Sequence, residues 1–174
     1  MFSDPQKNLE QFGLSPEAHV ADLGSGSGFY TLAAARIVGA TGRVYAIDVQ
    51  KGLLEKVANE ARHLKLANVE TLCGDLESLE GSRLSEASVD AVLVCNILFQ
   101  LENKENFLLE IKRILKPKGR VLVVDWRESF GGTGPQPNMI VSPSDARAIF
   151  EKVGFVFERD INAGAHHYGM IFVR

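Results

Sequence analysis

Asp22-Leu23-Gly24-Ser25-Gly26-Ser27-Gly28 stands directly between an apolar run, Val20 to Gly24, and a stretch of helical period, Ser27 to Val38. Glycines at this spacing permit positive φ and let a ligand come close to the backbone. The helix that follows offers free N–H groups and the positive end of its dipole, so something anionic or polar is expected to dock there. The next apolar run, RVYAID at 43–48, ends on Asp48, about twenty residues past the last glycine, where an acid can accept both hydroxyls of a ribose. A nucleoside-containing ligand is therefore expected. The spacing is G-x-G-x-G and position 29 is Phe, so the dinucleotide pattern G-x-G-x-x-G is not met, which weighs against a nicotinamide cofactor.

Outward from this turn, short β-branched or apolar runs alternate with longer helical segments, the mark of an α/β fold. Gly52 to Leu66 carries Leu53, Leu54, Val57, Ala61 and Leu64 on one helical face. Val69–Cys73 is a third short strand, and VDAVLVCN at 89–96 a fourth, whose nearly continuous apolar text predicts cover on both faces and a central place for this strand or the first. Asn103 caps a helix lined by Phe107, Leu108, Ile111, Ile114 and Leu115, which Pro117 and Gly119 stop. RVLVVDW at 120–126 is a fifth strand. Residues 127–141 hold three Gly and two Pro and form one long irregular loop, a candidate lid. Ser142, Pro143 and Asp145 start a last helix through about Val153, and FVFERDI and HYGMIFVR are two strands joined by NAGAH.

The chain has 174 residues and 45% hydrophobic residues, enough for one core in one domain (1–174) that needs no disulfide staples. A net charge of −3 disfavours nucleic-acid partners, because affinity for phosphate backbones comes from cationic neutralisation. Cys73 and Cys95 sit in apolar text and are expected as reduced thiols, Cys95 as a small buried hydrophobe, and no metal site is expected. The opening MFSDPQKNLEQ lacks the apolar stretch of a signal peptide and no run reaches the length of a membrane span, so a soluble, cytoplasmic protein is expected.

With these motifs in place, the sequence resembles the class I S-adenosylmethionine (SAM)-dependent methyltransferases, specifically the small UbiE-like type. Their first motif, D-x-G-x-G-x-G, is matched by Asp22 to Gly28, and Asp48 matches the acid ending strand two. Gly74-Asp75-Leu76 is similar to the Gly-Asp pair that holds adenine, and Leu115-Lys116-Pro117-Lys118-Gly119 to L-[KR]-P-G-G, with Lys118 in place of the first glycine. The resemblance spans roughly the whole chain, with four motifs in order. It implies a doubly wound Rossmann-like sheet of seven strands in order 3-2-1-4-5-7-6 with strand 7 antiparallel, and SAM as cofactor with S-adenosylhomocysteine as product. Ligands of such a sheet sit beyond the carboxyl ends of the strands where the order reverses, here between strands one and four.

On this resemblance, Asp22, Gly24, Ser25, Gly26 and Gly28 are expected at the methionine end of the cofactor. Asp48 with Val49 is expected at the ribose, Gly74, Asp75 and Leu76 at the adenine, and Asn96 at the methionine or the acceptor. The plainer readings are that the glycine turn serves packing and that Asp75 and Asn96 are caps or turn formers. His166 and His167 fall at the last hairpin, on the cofactor edge, where a histidine can orient or deprotonate an acceptor. Adjacent histidines on a strand point to opposite faces, so joint chelation of a metal is not expected. Phe2, Asp4 and Pro5 open an N-terminal segment, 1–14, that in related enzymes can fold over the cofactor; a frayed terminus is the alternative. The text CNILFQ after strand four lacks N-P-P-[YF], and the cysteines fit neither cytosine nor arsenite methylation, which leaves a small-molecule acceptor. With no cap domain after strand five, the crevice is expected to be open and a homodimer that covers it is admissible. A non-enzymatic SAM-binding or partner-binding module and an NAD-dependent oxidoreductase are the rival readings.

Overall fold

Val20 to Leu23 are almost wholly buried, as a strand covered on both faces requires, Asp22 included, and β1 forms at His19–Leu23. The computed structural model describes residues 3–174, so Phe2 lies outside the described residues. After β1 come α2 (Phe29–Val38), β2 (Arg43–Asp48), α3 (Lys51–His63), β3 (Val69–Cys73), β4 (Val89–Cys95), α4 (Lys104–Ile114), β5 (Leu115–Trp126), α5 (Pro143–Lys152), β6 (Val156–Ile161) and β7 (His167–Val173); α1 (Pro5–Phe12) precedes them. The strands make one seven-stranded sheet in the order β3-β2-β1-β4-β5-β7-β6. β1 to β5 run parallel, and β7 is antiparallel to both β5 and β6.

β4 takes the centre of the sheet, and Val89 and Ala91 to Val94 are buried on both of its faces. On one face Phe107, Ile111 and Phe150 from α4 and α5 pack on Val121, Val123 and Phe172. On the other, Leu9, Phe12, Ala34 and Val38 from α1 and α2 pack on Val20, Leu93, Leu122 and Ile171, with α3 bringing Leu54 and Val57 onto Ala46.

The observed elements depart from expectation at three places. The N-terminal segment holds a true helix, α1, started by Asp4, whose carboxylate accepts from the Gln6 and Lys7 amides, and stopped by left-handed Gly13. β5 begins at Leu115 rather than 120, because Leu115 bridges to Val89 before the strand register shifts and resumes at Ala91 and Arg120. α2 begins at Phe29 rather than Ser27, since Gly28 is its left-handed cap. Within the 127–141 loop Phe130 and Thr133 form a bridge, a single 3-10 turn spans Pro137–Met139, and Gly134 lies close against Trp126 of β5.

Candidate active site

β1 turns toward β2 through α2, whereas β4 lies on its other side, so the turns after β1 and β4 diverge and leave a cleft between them. The cleft holds about 680 Å³, within the range of pockets that enclose a cofactor-sized molecule. Asp22, Gly24, Ser25, Gly26, Asp48, Val49, Asp75, Leu76 and Asn96 all line it. Four carboxylates face it, from Asp22, Asp48, Asp75 and Glu77, and among the described residues that line it there is no Lys, Arg or His.

Asp22 is the deepest acid. Its Oδ2 accepts from the Thr31 hydroxyl at 2.5 Å, yet burial outweighs that bond and pushes the carboxyl up to about 6. Asp48 works on both sides of the cleft floor: Oδ2 accepts from the Gly26 amide at 3.0 Å and Oδ1 from the Gln50 amide at 2.9 Å. Each carboxylate oxygen keeps a further lone pair for a ligand. Asp75 is exposed, its oxygens accepting from the Glu77 amide at 3.0 Å and the Ser78 hydroxyl at 2.8 Å. This loop is clamped to α4, where Glu77 accepts from the Asn103 amide and from Asn106 Nδ2.

The glycine turn differs from expectation in one respect. Its amides are largely satisfied inside the protein: Gly24 and Ser25 donate to the Ile47 carbonyl at 2.8 and 3.0 Å, Gly26 to Asp48 and Gly28 to the Ser25 carbonyl at 2.8 Å. The end of β2 lies close enough to the turn to consume them. What remains open is side-chain chemistry. Ser25 Oγ and Asn96 Oδ1 are buried without a hydrogen-bond partner, an arrangement that asks for a ligand or a water. Asn96 also sits at φ 57°, a left-handed conformation that Asn tolerates better than most residues. The turn behind it is held by Asp125, which accepts from the Leu98 amide at 2.9 Å and the Trp126 amide at 2.7 Å, and which burial pushes up to about 6. A cationic, ribose-bearing ligand with an ammonium group suits these acids and orphaned polar atoms, so the residues present fit SAM.

Gly28 and Gly74 do not line the cleft. A Cβ on Gly28 would stand 2.7 Å from Val57 Cγ2, and one on Gly74 1.9 Å from the Gly81 carbonyl, so both glycines allow close packing behind the site. His166 and His167 are on the expected sheet edge, since His167 pairs with Trp126, but they lie over β5 and β7 rather than in the cleft. His166 Nδ1 is 2.9 Å from Glu128 Oε1, and its ring stacks on Phe130 at 4.0 Å. His167 is buried against Trp126 at 4.3 Å, and burial, with His166 beside it, lowers its pKa. Sequence reasoning missed Ser3, Phe29, Tyr30, Gln50, Leu53 and Gln100, all in the cleft wall. Phe29-Tyr30 follows the last glycine directly, and that adjacency was the available signal. Cys95 also lines the cleft, and burial holds its thiol well above the usual range, so it is no thiolate.

A family profile described as a methyltransferase domain matches residues 14–154. The ubiquinone/menaquinone biosynthesis C-methyltransferase UbiE of Blochmanniella pennsylvanica is 36% identical over 145 residues, 83% of this chain and 54% of that protein. UbiE of Erwinia tasmaniensis is 30% identical over 160 residues, 90% of this chain and 59% of its own. The chain thus spans just over half the length of these curated relatives. Among solved structures, a SAM-dependent methyltransferase from Aquifex aeolicus superposes with a TM-score of 0.90 at 31% identity, covering 99% of this chain and 90% of that one. Fold, cleft chemistry and these likenesses agree: the chain belongs to the class I SAM-dependent methyltransferases, in their UbiE-like type.

Proposed function

We propose that the protein transfers the methyl group of SAM to a small-molecule acceptor, releasing S-adenosylhomocysteine. The observation that carries this reading is the acid-walled cleft with its orphaned Ser25 Oγ and Asn96 Oδ1 at the point where strand order reverses. Bound there, SAM supplies a methyl made electrophilic by its sulfonium, so the protein has chiefly to align and to exclude water. Asp48, already fixed by the Gly26 and Gln50 amides, offers its remaining lone pairs to the ribose hydroxyls, with Val49 beside it. Asp75 and Leu76 hold the adenine. Asp22, Ser25 and Asn96 converge on the ammonium at the methionine end. On the acceptor side we assign His166, oriented by Glu128, to hold or remove the acceptor's proton. His167, stacked and kept neutral by burial, positions Trp126 rather than the substrate.

The same reading makes the protein cytoplasmic and free of nucleic-acid partners, with a homodimer as cover for the crevice. Its supports are the net charge of −3, the uncompensated acids of the cleft, and the finding that no described helix is long and apolar enough to cross a membrane. Calorimetric titration with SAM, S-adenosylhomocysteine and NAD tests the cofactor: heat with the first two supports the reading, and heat with NAD alone overturns it. Transfer of labelled methyl from SAM across a panel of small hydroxyl, amine, thiol and activated-carbon compounds then identifies the acceptor. Sedimentation velocity tests the dimer.

A further inference from the structure

Asp125 stands near the end of β5, buried and outside the cleft lining, and the reaction described above leaves it without a task. Its two oxygens go to two backbone amides. Oδ1 accepts from Trp126 next to it at 2.7 Å, and Oδ2 reaches across to Leu98, in the turn after β4, at 2.9 Å. A buried carboxylate costs desolvation that an apolar side chain would avoid. Only a carboxylate, however, presents an acceptor oxygen to each of two converging N–H groups; an Asn would turn its NH2 toward one of them. The chain keeps a buried charge in order to hold this turn, so the use of the turn has to explain the charge.

Residues 96–101 form the cleft wall beside the glycine turn, where Asn96, Ile97, Gln100 and Leu101 all line the cleft. Asn96 opens the wall at φ 57°, a left-handed conformation that costs energy in a residue with a side chain and persists only where the surroundings enforce it. Its amide donates to the Val124 carbonyl at 2.8 Å, and its carbonyl accepts from Gln100 Nε2 at 3.0 Å. The side-chain Oδ1 is left buried and unpartnered. Two residues on, the Leu98 amide meets Asp125, and at the far end Lys104 Nζ donates to the Leu101 carbonyl at 2.6 Å. Between them Ile97 presses on the glycine turn, so close that a Cβ on Gly24 would collide with its side chain. Supporting bonds of this kind keep a binding geometry within about 0.5 Å, and a site without them is present but loose.

We propose that Asp125 is a positioning residue for the cofactor: by anchoring Leu98 it holds Asn96 in its left-handed conformation and aims the Asn96 side chain into the cleft. The proposal rests on the SAM reading above. It places a determinant of cofactor affinity on β5, a strand that contributes none of the described residues lining the cleft.

Calorimetry with S-adenosylhomocysteine on the full chain tests this as a double-mutant cycle. Asp125→Asn leaves one of the two amides facing an NH2 and is expected to weaken binding about tenfold. Asn96→Gly removes the side chain, takes the left-handed backbone without strain, and is expected to weaken binding by a similar factor. In the double variant the loss should match that of Asn96→Gly alone within about twofold, because Asp125 then has no side chain to aim. Losses that multiply, to about a hundredfold together, mean that Asp125 supports the pocket as a whole and not Asn96. Unchanged affinity in Asp125→Asn means that the turn holds without it. Each of these two results overturns the proposal. Hydrogen exchange supplies a measurement that needs no variant to fold: in the ligand-free wild type the Leu98 amide is expected to exchange as slowly as the core amides of β4, and exchange at the rate of an exposed loop also overturns the proposal. Wild-type protein that does not bind S-adenosylhomocysteine brings down the SAM reading and the proposal with it, and is distinguished from the other outcomes by that.

Discussion

Asp22 answers two opposed demands. It must be buried to meet the methionine end of the cofactor, and burial is what lifts its carboxyl to about 6. A cation is held by the ionised form, so below pH 6 the ligand must first displace a proton, while above about pH 7 the group is already charged. The affinity for SAM is therefore expected to fall as pH drops, with Kd rising up to about tenfold per unit below pH 6 and flat above pH 7. In Asp22→Asn, whose amide oxygen can still accept from Thr31, calorimetry should find weaker binding at pH 7.5 and this slope gone. A slope that survives the substitution would assign the proton to another group, Asp125 first. The acceptor side has its own residue-scale test. His166→Ala is expected to lower kcat by roughly 10²-fold or more, with the KM for SAM unchanged and a smaller loss for Glu128→Gln. Unchanged turnover with an identified acceptor would remove His166 from the chemistry.

Among the elements, the parallel strands were legible because β1, β2 and β4 are written as short apolar runs that burial on both faces demands. The polar residues at or near their ends follow directly, which is why Asp22, Asp48 and Asn96 could be placed in one crevice from text alone. α1 was not legible. It has 8 residues, and one of its three buried positions is Asn8, whose reason for being inside is the hydroxyl pair it meets rather than any hydrophobic period. The triangle it makes with Ser3 and Tyr30 went unread for a related cause: Ser3 is 5 residues from Asn8, but Tyr30 is 22 away, and only the fold brings it to the other two. The start of β5 was misplaced because Pro117 and Gly119 signal a turn, and the chain does turn there, but within a strand that has already bridged to Val89. Lys118 makes that turn in the left-handed region, at φ 64°, where the related motif has glycine. Lys118→Gly should relieve this strain and raise stability by about 0.5–1 kcal/mol in chemical denaturation, with SAM affinity unchanged. A loss of stability would mean that the Lys118 side chain contributes more than its backbone costs.

At the scale of the whole molecule, the site and the stability of the fold are coupled through buried acid. An Asp whose pKa is raised on folding binds its proton more tightly in the native state, so it lowers stability above its folded pKa and that penalty fades as pH falls toward its ordinary value. Asp22 and Asp125, both near 6 against an ordinary 3.8, act in this direction between about pH 6 and pH 4. His167 acts in the other, since burial lowers its pKa from 6.5 and the native state resists its protonation as pH falls below that value. Asp90 and Glu110 pull the other way at the acid end of this window: despite the burial that opposes it, the hydrogen bonds from Lys116 and His19 to the one, and from Arg113 and Ser82 to the other, hold both below their ordinary values, so their support begins to fade as pH falls through those ordinary values and is lost in stronger acid. Comparing wild type with Asp22→Asn cancels every group but one. The ligand-free variant should melt higher than wild type at pH 7.5, by on the order of 5 °C, and the gap should narrow below pH 6 and close only as pH falls through about 4, where the native and the unfolded carboxyl are both protonated. Saturating SAM should reverse the order at pH 7.5, since only the wild-type carboxylate is compensated by the cation and ligand binding raises stability by mass action. A variant that melts lower than wild type at every pH without ligand would show that Asp22 is a structural acid, and would separate the stability of the turn from its use in holding the cofactor.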